Sequence, residues 1–406
     1  MPEAVIVAAA RSPIGRAVKG SLATVRPDDL TATIVRAALA QVPELELGEI
    51  EDLMLGCGQP AGEQGYNLAR VVATLLGWDG LPGTTVNRYC SSSLQTTRMA
   101  FHAIKAGEGD VYVSAGVECV SRYAAGAADF LPGTMNPLLD GAVARTAERA
   151  GGGAEPWSDP RERGALPDVY IAMGQTAENL AELKGVTRRE MDEFAVRSQN
   201  LAEKAIAEGF WAREITPVTL PDGTVVVADD GPRAGVTLEA VEALRPSFRP
   251  DGRVTAGNCC PLNDGAAALV VMSDVRAREL GITPLARIVA TGLSALSPEI
   301  MGLGPVEASR QALDRAGMTV DDVDLVEINE AFAAQVIPSY RDLGVDLDWV
   351  NVNGGAIAVG HPFGMTGARI TTTLINSLRS HDKQFGLETM CVGGGQGMAM
   401  IIERLS

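Results

Sequence analysis

Only three histidines, His102, His361 and His381, occur among the 406 residues, and none stands four residues from another. The six cysteines contain no C-x-x-C pair either. The ligand spacing of a zinc site is therefore missing, and no metal is expected. Basic residues are also scarce: 34 Lys and Arg face 51 Asp and Glu, for a net charge of −17. That balance gives no long-range attraction for nucleic acid or an anionic membrane, and no basic run supplies a local exception. Neither partner is expected. Long apolar runs are absent as well. The stretch from Ala4 to Ala10 follows Glu3 rather than a basic segment and is far short of the ~20 residues that span a bilayer. It reads as a buried strand. With no secretion signal, the expected compartment is the cytoplasm, where the cysteines remain thiols.

What is present is a 46% hydrophobic chain long enough for two or three packed units. Glu3 to Ala10, Glu51 to Leu55 and Thr84 to Arg88 are short apolar runs bounded by Gly and Pro, with helical patterns between them. This alternation predicts an α/β fold. Asp28 and Asp29 ahead of Leu30, Ile34, Val35 and Leu39 predict a capped amphipathic helix, and Asn67 to Leu76 predicts another. The same order returns later. Leu285 to Ala290 and Asp324 to Ile328 read as strands, Val306 to Ala316 as a helix stopped by Gly317, and Val350 to Asn353 as a strand before a Gly-rich turn. The carboxyl half thus reads as a diverged copy of the amino half. Between the copies, residues 124 to 168 are rich in Gly, Ala, Pro and Asp and read as an irregular excursion. Helices are expected over Gln175 to Leu183 and Arg188 to Glu208, and a central strand over Gly265 to Met272. The expected domains are 1–119 with 262–283, an inserted loop domain over 120–261, and 284–406.

Four segments carry candidate chemistry. In VNRYCSSSLQTTRMAFHAIKAG, Cys90 stands at a strand-to-helix turn. Helix amides favour a thiolate and can bring a thiol pKa down toward neutrality, although a Cys after a strand is equally a small buried hydrophobe. In GGAIAVGHPFGMTGAR, glycines and Pro362 constrain His361, which reads as a general base for a thiol or as a satisfied structural histidine. Cys391 ends a strand against three glycines whose amides suit a developing oxyanion, or it is a core thiol beside a tight turn. Asn329 follows a strand and either holds a water or caps the next helix. His102 and His381 read as structural or solvated. Cys57, Cys119, Cys259 and Cys260 read as structural thiols.

Taken together, VNRYCSSSLQ, INEAFA, GGAIAVGHPFGMTGAR and CVGGGQGMAM, in this order, resemble the active-site loops of the thiolases, the acetyl-CoA C-acyltransferase family. The likeness runs from VIVAAARSPIGR to IIERLS and includes MGQTAEN and VTAGN in the excursion. The resemblance implies a thiolase fold of duplicated α/β halves in a layered αβαβα core with an inserted loop domain, assembled as a homodimer or homotetramer. It implies that Cys90 takes the acyl group, that His361 activates it, and that Cys391 moves the α-proton of acetyl-CoA. A water on Asn329, with His361, would bind the thioester oxygen, and the amides of Cys90 and Gly393 would form a second oxyanion hole. The substrates implied are acyl-CoA and CoA, with no metal or redox cofactor.

The positions matching the family's CoA contacts are Met173, Phe248, Ala256, Cys260, Met301 and Phe332. The sequence departs from the usual pattern at several of their neighbours. NCCPLNDG replaces N-A-S-G-x-N-D-G, so Cys260 stands where Ser is frequent and Pro261 where Gly is; Ala172 stands where some members carry His, and Ser93 replaces Gly. These changes bear on the acyl group, leaving short, long or ring-bearing chains open. Another condensing enzyme of the superfamily would normally set two His, or Glu and His, around its nucleophile, and Asn329 and Cys391 disfavour it. A non-catalytic acyl-CoA or lipid-binding relative is disfavoured by the intact Cys90, His361 and Cys391.

Overall fold

The computed structural model describes residues 1–123, 133–153 and 155–406. Strands and helices alternate through β1 (Ala4–Arg11), α1 (Pro27–Leu39), β2 (Asp52–Cys57), α2 (Leu68–Leu75), β3 (Gly83–Val86), α3 (Ser92–Ala106) and β4 (Val111–Cys119). The excursion contributes α4 (Asp140–Ala150), α5 (Met173–Leu183) and α6 (Arg188–Ala207), and the chain returns in β5 (Asn263–Ser273). There follow β6 (Ala286–Ala295), α7 (Gly304–Ala316), β7 (Leu325–Ile328), α8 (Ala333–Leu343), α9 (Thr366–Ser380), β8 (Phe385–Val392) and β9 (Gln396–Arg404). Among the described residues no helix is long and apolar enough to cross a membrane.

The strands hydrogen-bond in the order β7-β8-β9-β6-β1-β5-β4-β2-β3. Each half repeats one pattern. In the first, β2 runs parallel to β3 and β4, and β5 is antiparallel to β4 and β1. In the second, β7 runs parallel to β8, and β9 is antiparallel to β8 and β6. The halves join where Val5 and Ile6 of β1 pair with Arg287 and Ala286 of β6. The duplication expected from sequence is therefore a duplication of topology.

One element of the copy is reduced. The strand expected over Val350 to Asn353 is a single parallel bridge between Val350 and Val326. The next residue, Asn351, turns into the left-handed region (φ 49). Its side chain takes over the ladder, accepting from Ile328 N–H at 2.8 Å and donating to Ile328 O at 2.9 Å. An amide side chain has replaced the backbone pairing that β3 makes in the first half.

The all-apolar central strand is explained by its place. β5 lies between β1 and β4 and is buried along its whole length, so both faces meet helices and an unbroken apolar pattern is required. Leu94 and Ile104 of α3 pack with Ile370 and Leu374 of α9 against Leu269 and Met398 of the two halves. Leu30 and Ile34 of α1 and Val72 of α2 cover the other face of the first half. Ala308 of α7 and Val336 of α8 cover that of the second. The result is helix, sheet, helix, sheet, helix, with α3 and α9 in the middle layer.

Two local expectations are corrected. Asp28 and Asp29 lie in the first turn of α1 but do not cap it: Arg26 holds the cap position, Pro27 begins the helix, and Asp28 turns back to pair with Arg26 at 2.8 Å. Within the stretch expected to be irregular, 124–132 and 154 lie outside the described residues, but Asp140 to Ala150 is a helix. Only Ala142 of α4 is buried. Its helix-forming Ala and Arg content was masked by flanking Gly and Pro, and it has no apolar stripe to announce it.

Candidate active site

Cys90 lies in the single turn Tyr89–Ser91 between β3 and α3. Tyr89 adopts a left-handed backbone (φ 43), a conformation costly for a bulky side chain and maintained by its surroundings. Asn87 Oδ1 accepts the Tyr89 N–H at 2.8 Å; Ser92 Oγ accepts the Arg88 N–H at 2.9 Å and donates to Tyr89 O at 2.6 Å. The Arg88 guanidinium then donates to Gln396 Oε1 at 2.7 Å, and Gln396 Nε2 donates to Gly393 O at 3.3 Å. This chain of bonds locks the Cys90 turn to the turn joining β8 and β9.

The backbone amides of Gly393 and of Cys90 itself lie close to the Cys90 sulfur. Both favour the thiolate, yet burial dominates and pushes the thiol up to about 11. The expectation of a pKa near neutrality is thereby corrected. The helix proper begins two residues later, at Ser92, and a sulfur removed from water loses more than the amides return. The resting group is a neutral thiol.

His361 is buried in the loop before α9, and burial, with the nearby Arg369 charge, lowers its imidazole to about 3. Thr366 Oγ1 donates to Pro362 O at 2.7 Å, so at 2.6 Å from His361 Nδ1 its oxygen accepts the ring proton. That assignment places the lone pair on Nε2, facing Asn329 Nδ2 at 3.2 Å. The imidazole is thus a neutral base of fixed tautomer. Asn329 is not a helix cap, because α8 starts at Ala333 with Phe332 in the cap position. With its Nδ2 turned to His361, its buried Oδ1 has no protein partner among the described residues.

Cys391 lies near the end of β8, opposite Gly397, and is fully buried. Burial pushes its thiol well up, and Cys90 is close enough to add to the shift. Cys260 is within electrostatic reach of both Cys90 and Cys391, and its N–H donates to Ala331 O at 3.1 Å. Cys260 therefore lies beside the Asn329 loop, within electrostatic reach of the other two thiols. Met301 and Phe332 are buried in the apolar cluster that also contains Cys391, and Met173 and Phe248 pack against it. Phe248 meets Phe332 edge to face at 6.3 Å between ring centres. Ala256 lies apart from this cluster in an exposed turn. Of the remaining expectations, Cys57 and Cys119 are buried and Cys259 half-buried, while His381 Nδ1 lies 3.0 Å from Ser377 O and His102 stacks obliquely on Phe101.

Sequence reasoning missed several residues that hold these groups. Thr366 fixes the imidazole, and its signal was a hydroxyl five residues after His361 in a constrained loop. Asn263 Oδ1 accepts the His361 N–H at 2.9 Å, a long-range contact without a local signature. Ser93, which departs from the family's Gly, accepts the Ala368 N–H on Oγ at 2.9 Å and ties the start of α3 to that of α9. Glu118 was legible only as a carboxylate inside an otherwise apolar strand; it is wholly buried.

Comparison with known proteins adds the following. Residues 4–275 match the family described as thiolase, N-terminal domain, and residues 282–404 match thiolase, C-terminal domain. A 3-ketoacyl-CoA thiolase of Bacillus subtilis (strain 168) is 42% identical over 420 residues, covering 99% of this chain and 100% of that protein. The 3-oxoadipyl-CoA/3-oxo-5,6-dehydrosuberyl-CoA thiolase of Escherichia coli (strain K12) is 44% identical over 415 residues, covering 100% of both. Among solved structures, the Bacillus anthracis acetyl-CoA acetyltransferase superposes with a TM-score of 0.86 at 39% identity, covering 100% of this chain and 99% of that one.

Proposed function

The chain belongs to the thiolase family and is an acyltransferase acting on CoA thioesters, and from that premise we propose that Cys90 carries the acyl group and that His361, Asn329, Cys391 and Gly393 complete its chemistry. The observation that carries this reading is the proximity of two buried thiols, Cys90 and Cys391, together with a His361 imidazole of fixed tautomer whose Nε2 faces Asn329. In the degradative direction, the Cys90 sulfur attacks the 3-keto carbon of a 3-ketoacyl-CoA while the thiol proton passes to His361. The bond between C2 and C3 then breaks, its electron pair remaining on C2 as the enolate of acetyl-CoA. Cys391 protonates that carbon and becomes a thiolate. The proton held on His361 then restores the Cys391 thiol; CoA enters as a thiol, gives its proton to His361 as its sulfur attacks the Cys90 thioester, and His361 returns that proton to the departing Cys90 sulfur as a shortened acyl-CoA is released. The reverse sequence is a Claisen condensation.

Neutral resting groups suit this order of events. Charge develops on the substrate oxygen only during attack; the amides of Cys90 and Gly393 are proposed to donate to that oxygen, and Asn329 with a water to supplement His361 at the thioester oxygen. Two thiols are needed because attack on one carbon and proton delivery to another require separately placed groups. The reaction so written draws on no metal or redox cofactor. Met173, Phe248, Ala256, Cys260, Met301 and Phe332 are proposed to contact the CoA moiety, the apolar four supporting the pantetheine and the thioester.

The experiment is thiolysis of a panel of 3-ketoacyl-CoA esters with short, long, branched, dicarboxylic and ring-bearing chains, followed by loss of the enolate absorbance. At least one member is expected to turn over at roughly 1–10³ per second; no turnover across the panel contradicts the proposal. Thr366→Val removes the acceptor of the His361 Nδ1 proton. It is expected to lower kcat by at least about tenfold with KM within about twofold, because the wrong tautomer becomes accessible. An unchanged kcat would show that Thr366 does not select the tautomer.

We further propose cytoplasmic location and assembly as a homodimer or a tetramer of dimers. Among the described residues β3 ends the sheet order and is only half-buried along its length, so its outer edge suits isologous pairing with a second copy. Light scattering after size exclusion is expected to give a dimer or tetramer mass, and a monomer at micromolar concentration contradicts it.

A further inference from the structure

Glu118, at the end of β4, is a buried carboxylate in which both oxygens are engaged by donors from three separate segments. Oε2 accepts the Gly58 N–H at 2.8 Å and the Gly364 N–H at 2.9 Å; Oε1 accepts Gln64 Nε2 at 2.7 Å and the Gln59 N–H at 3.2 Å. Gly58 and Gln59 follow β2. Gly364 lies three residues after His361, in the loop that carries the imidazole. The Cys57 thiol also lies 4.0 Å from Oε1; burial pushes this carboxyl up to about 7, while the N–H donors favour its ionised form.

The contact is made across the two halves of the duplicated fold, and the backbone there has no spare room. A Cβ on Gly364 would overlap the carbonyl of Val117, and one on Gly116 would overlap the carbonyl of Gly364. A Cβ on Gly58 would come within 2.9 Å of Phe363 and 3.3 Å of the Tyr89 carbonyl, the residue before Cys90. Phe363 in turn meets the His361 ring edge to face at 5.2 Å. The same few ångströms thus contain the end of β2, the end of β4, the Cys90 turn and the His361 loop, and Glu118 is the carboxyl group at their junction.

We propose that Glu118 is a positioning residue of the acyl-transfer reaction, clamping the His361 loop of the second half onto the first half at the Cys90 turn. This rests on the reading of Cys90 and His361 given above. The wild-type carboxylate accepts all four donors; in Glu118→Gln one oxygen becomes an NH2 that faces N–H groups, so one side of the clamp opens while volume and burial are kept. Displacement of a catalytic group by about an ångström costs on the order of 10²-fold.

The test is a double-mutant cycle in the full-length enzyme. His361→Ala, Glu118→Gln and the double variant are compared by steady-state thiolysis, with circular dichroism and thermal melting to confirm folding at the assay temperature. Glu118→Gln is expected to lower kcat by roughly 10–10²-fold with KM for the acyl-CoA within about twofold, and to cost nothing further in the His361→Ala background. A kcat within twofold of wild type, or a loss that multiplies with that of His361→Ala, overturns the proposal. Should Glu118→Gln fail to fold, Glu118→Asp, which keeps the charge but shortens its reach, is read in the same cycle with a smaller loss of the same pattern. If His361→Ala alone left kcat unchanged, the underlying assignment of the base would fall, and that result is distinct from a null effect at Glu118.

Discussion

Cys90→Ser is expected to lower thiolysis by on the order of 10⁴-fold while leaving the fold and the affinity for acyl-CoA intact. The substitution is nearly isosteric and leaves the nearby backbone amides of Gly393 and residue 90 in place. What it removes is a nucleophile that His361 is able to deprotonate. Burial already holds the thiol at about 11 and the imidazole near 3, so the proton moves only as the carbon–sulfur bond forms. An alcohol lies far above a thiol in intrinsic pKa, and the gap becomes too wide for a neutral imidazole in a dry site. Loss of enolate absorbance in stopped flow measures the effect. Thiolysis within tenfold of wild type would remove Cys90 from the mechanism.

Cys391→Ala is expected to separate two steps that the wild-type enzyme runs together. Acyl transfer from acetyl-CoA to Cys90 needs the sulfur of Cys90, His361 and the amides near Gly393, none of which the substitution removes, and it is expected within about fivefold of wild type. Proton exchange at the α-carbon of acetyl-CoA needs the second thiol and is expected to fall by about 10³-fold, as does complete thiolysis. Deuterium incorporation into acetyl-CoA, followed by mass spectrometry, measures the first loss. Rapid exchange in Cys391→Ala would assign the α-proton to another group, with Cys260 the neighbouring thiol to examine next. Removing a buried sulfur also leaves a small cavity, so a stability loss of about 1–2 kcal/mol accompanies the change.

The fold was legible where period and place agreed. The fully apolar run in β5 could belong only to a strand covered on both faces, and Gly317 stopped α7 where its left-handed backbone (φ 66) demanded glycine. The duplication showed in the recurring order of strands and helices. It was illegible at Val350, because an Asn side chain there replaces a ladder and no periodicity reports that. It was also illegible in α4, whose exposed surface carries no apolar stripe.

The site divided along the same line. Cys90, His361 and Cys391 stood out because each lies in a short segment whose glycines or turn residues constrain it locally. Among their supports, Thr366 lies close in sequence to His361, whereas Asn263, Ser93 and Glu118 act across the two halves, and only the folded chain brings those together. The pKa of Cys90 was misjudged for the same reason: the favourable amides are local and readable, whereas burial is a property of the packed middle layer.

The central claim, that Cys90 holds the acyl group, is tested most directly by trapping it. The enzyme is incubated with acetyl-CoA without an acyl acceptor, quenched in acid, digested and analysed by mass spectrometry. One acetyl group is expected on the peptide containing Cys90, discharged when CoA is added before the quench and missing in Cys90→Ser. An acetyl group on Cys391 or Cys260 with Cys90 unmodified, or labelling that persists in Cys90→Ser, would contradict it.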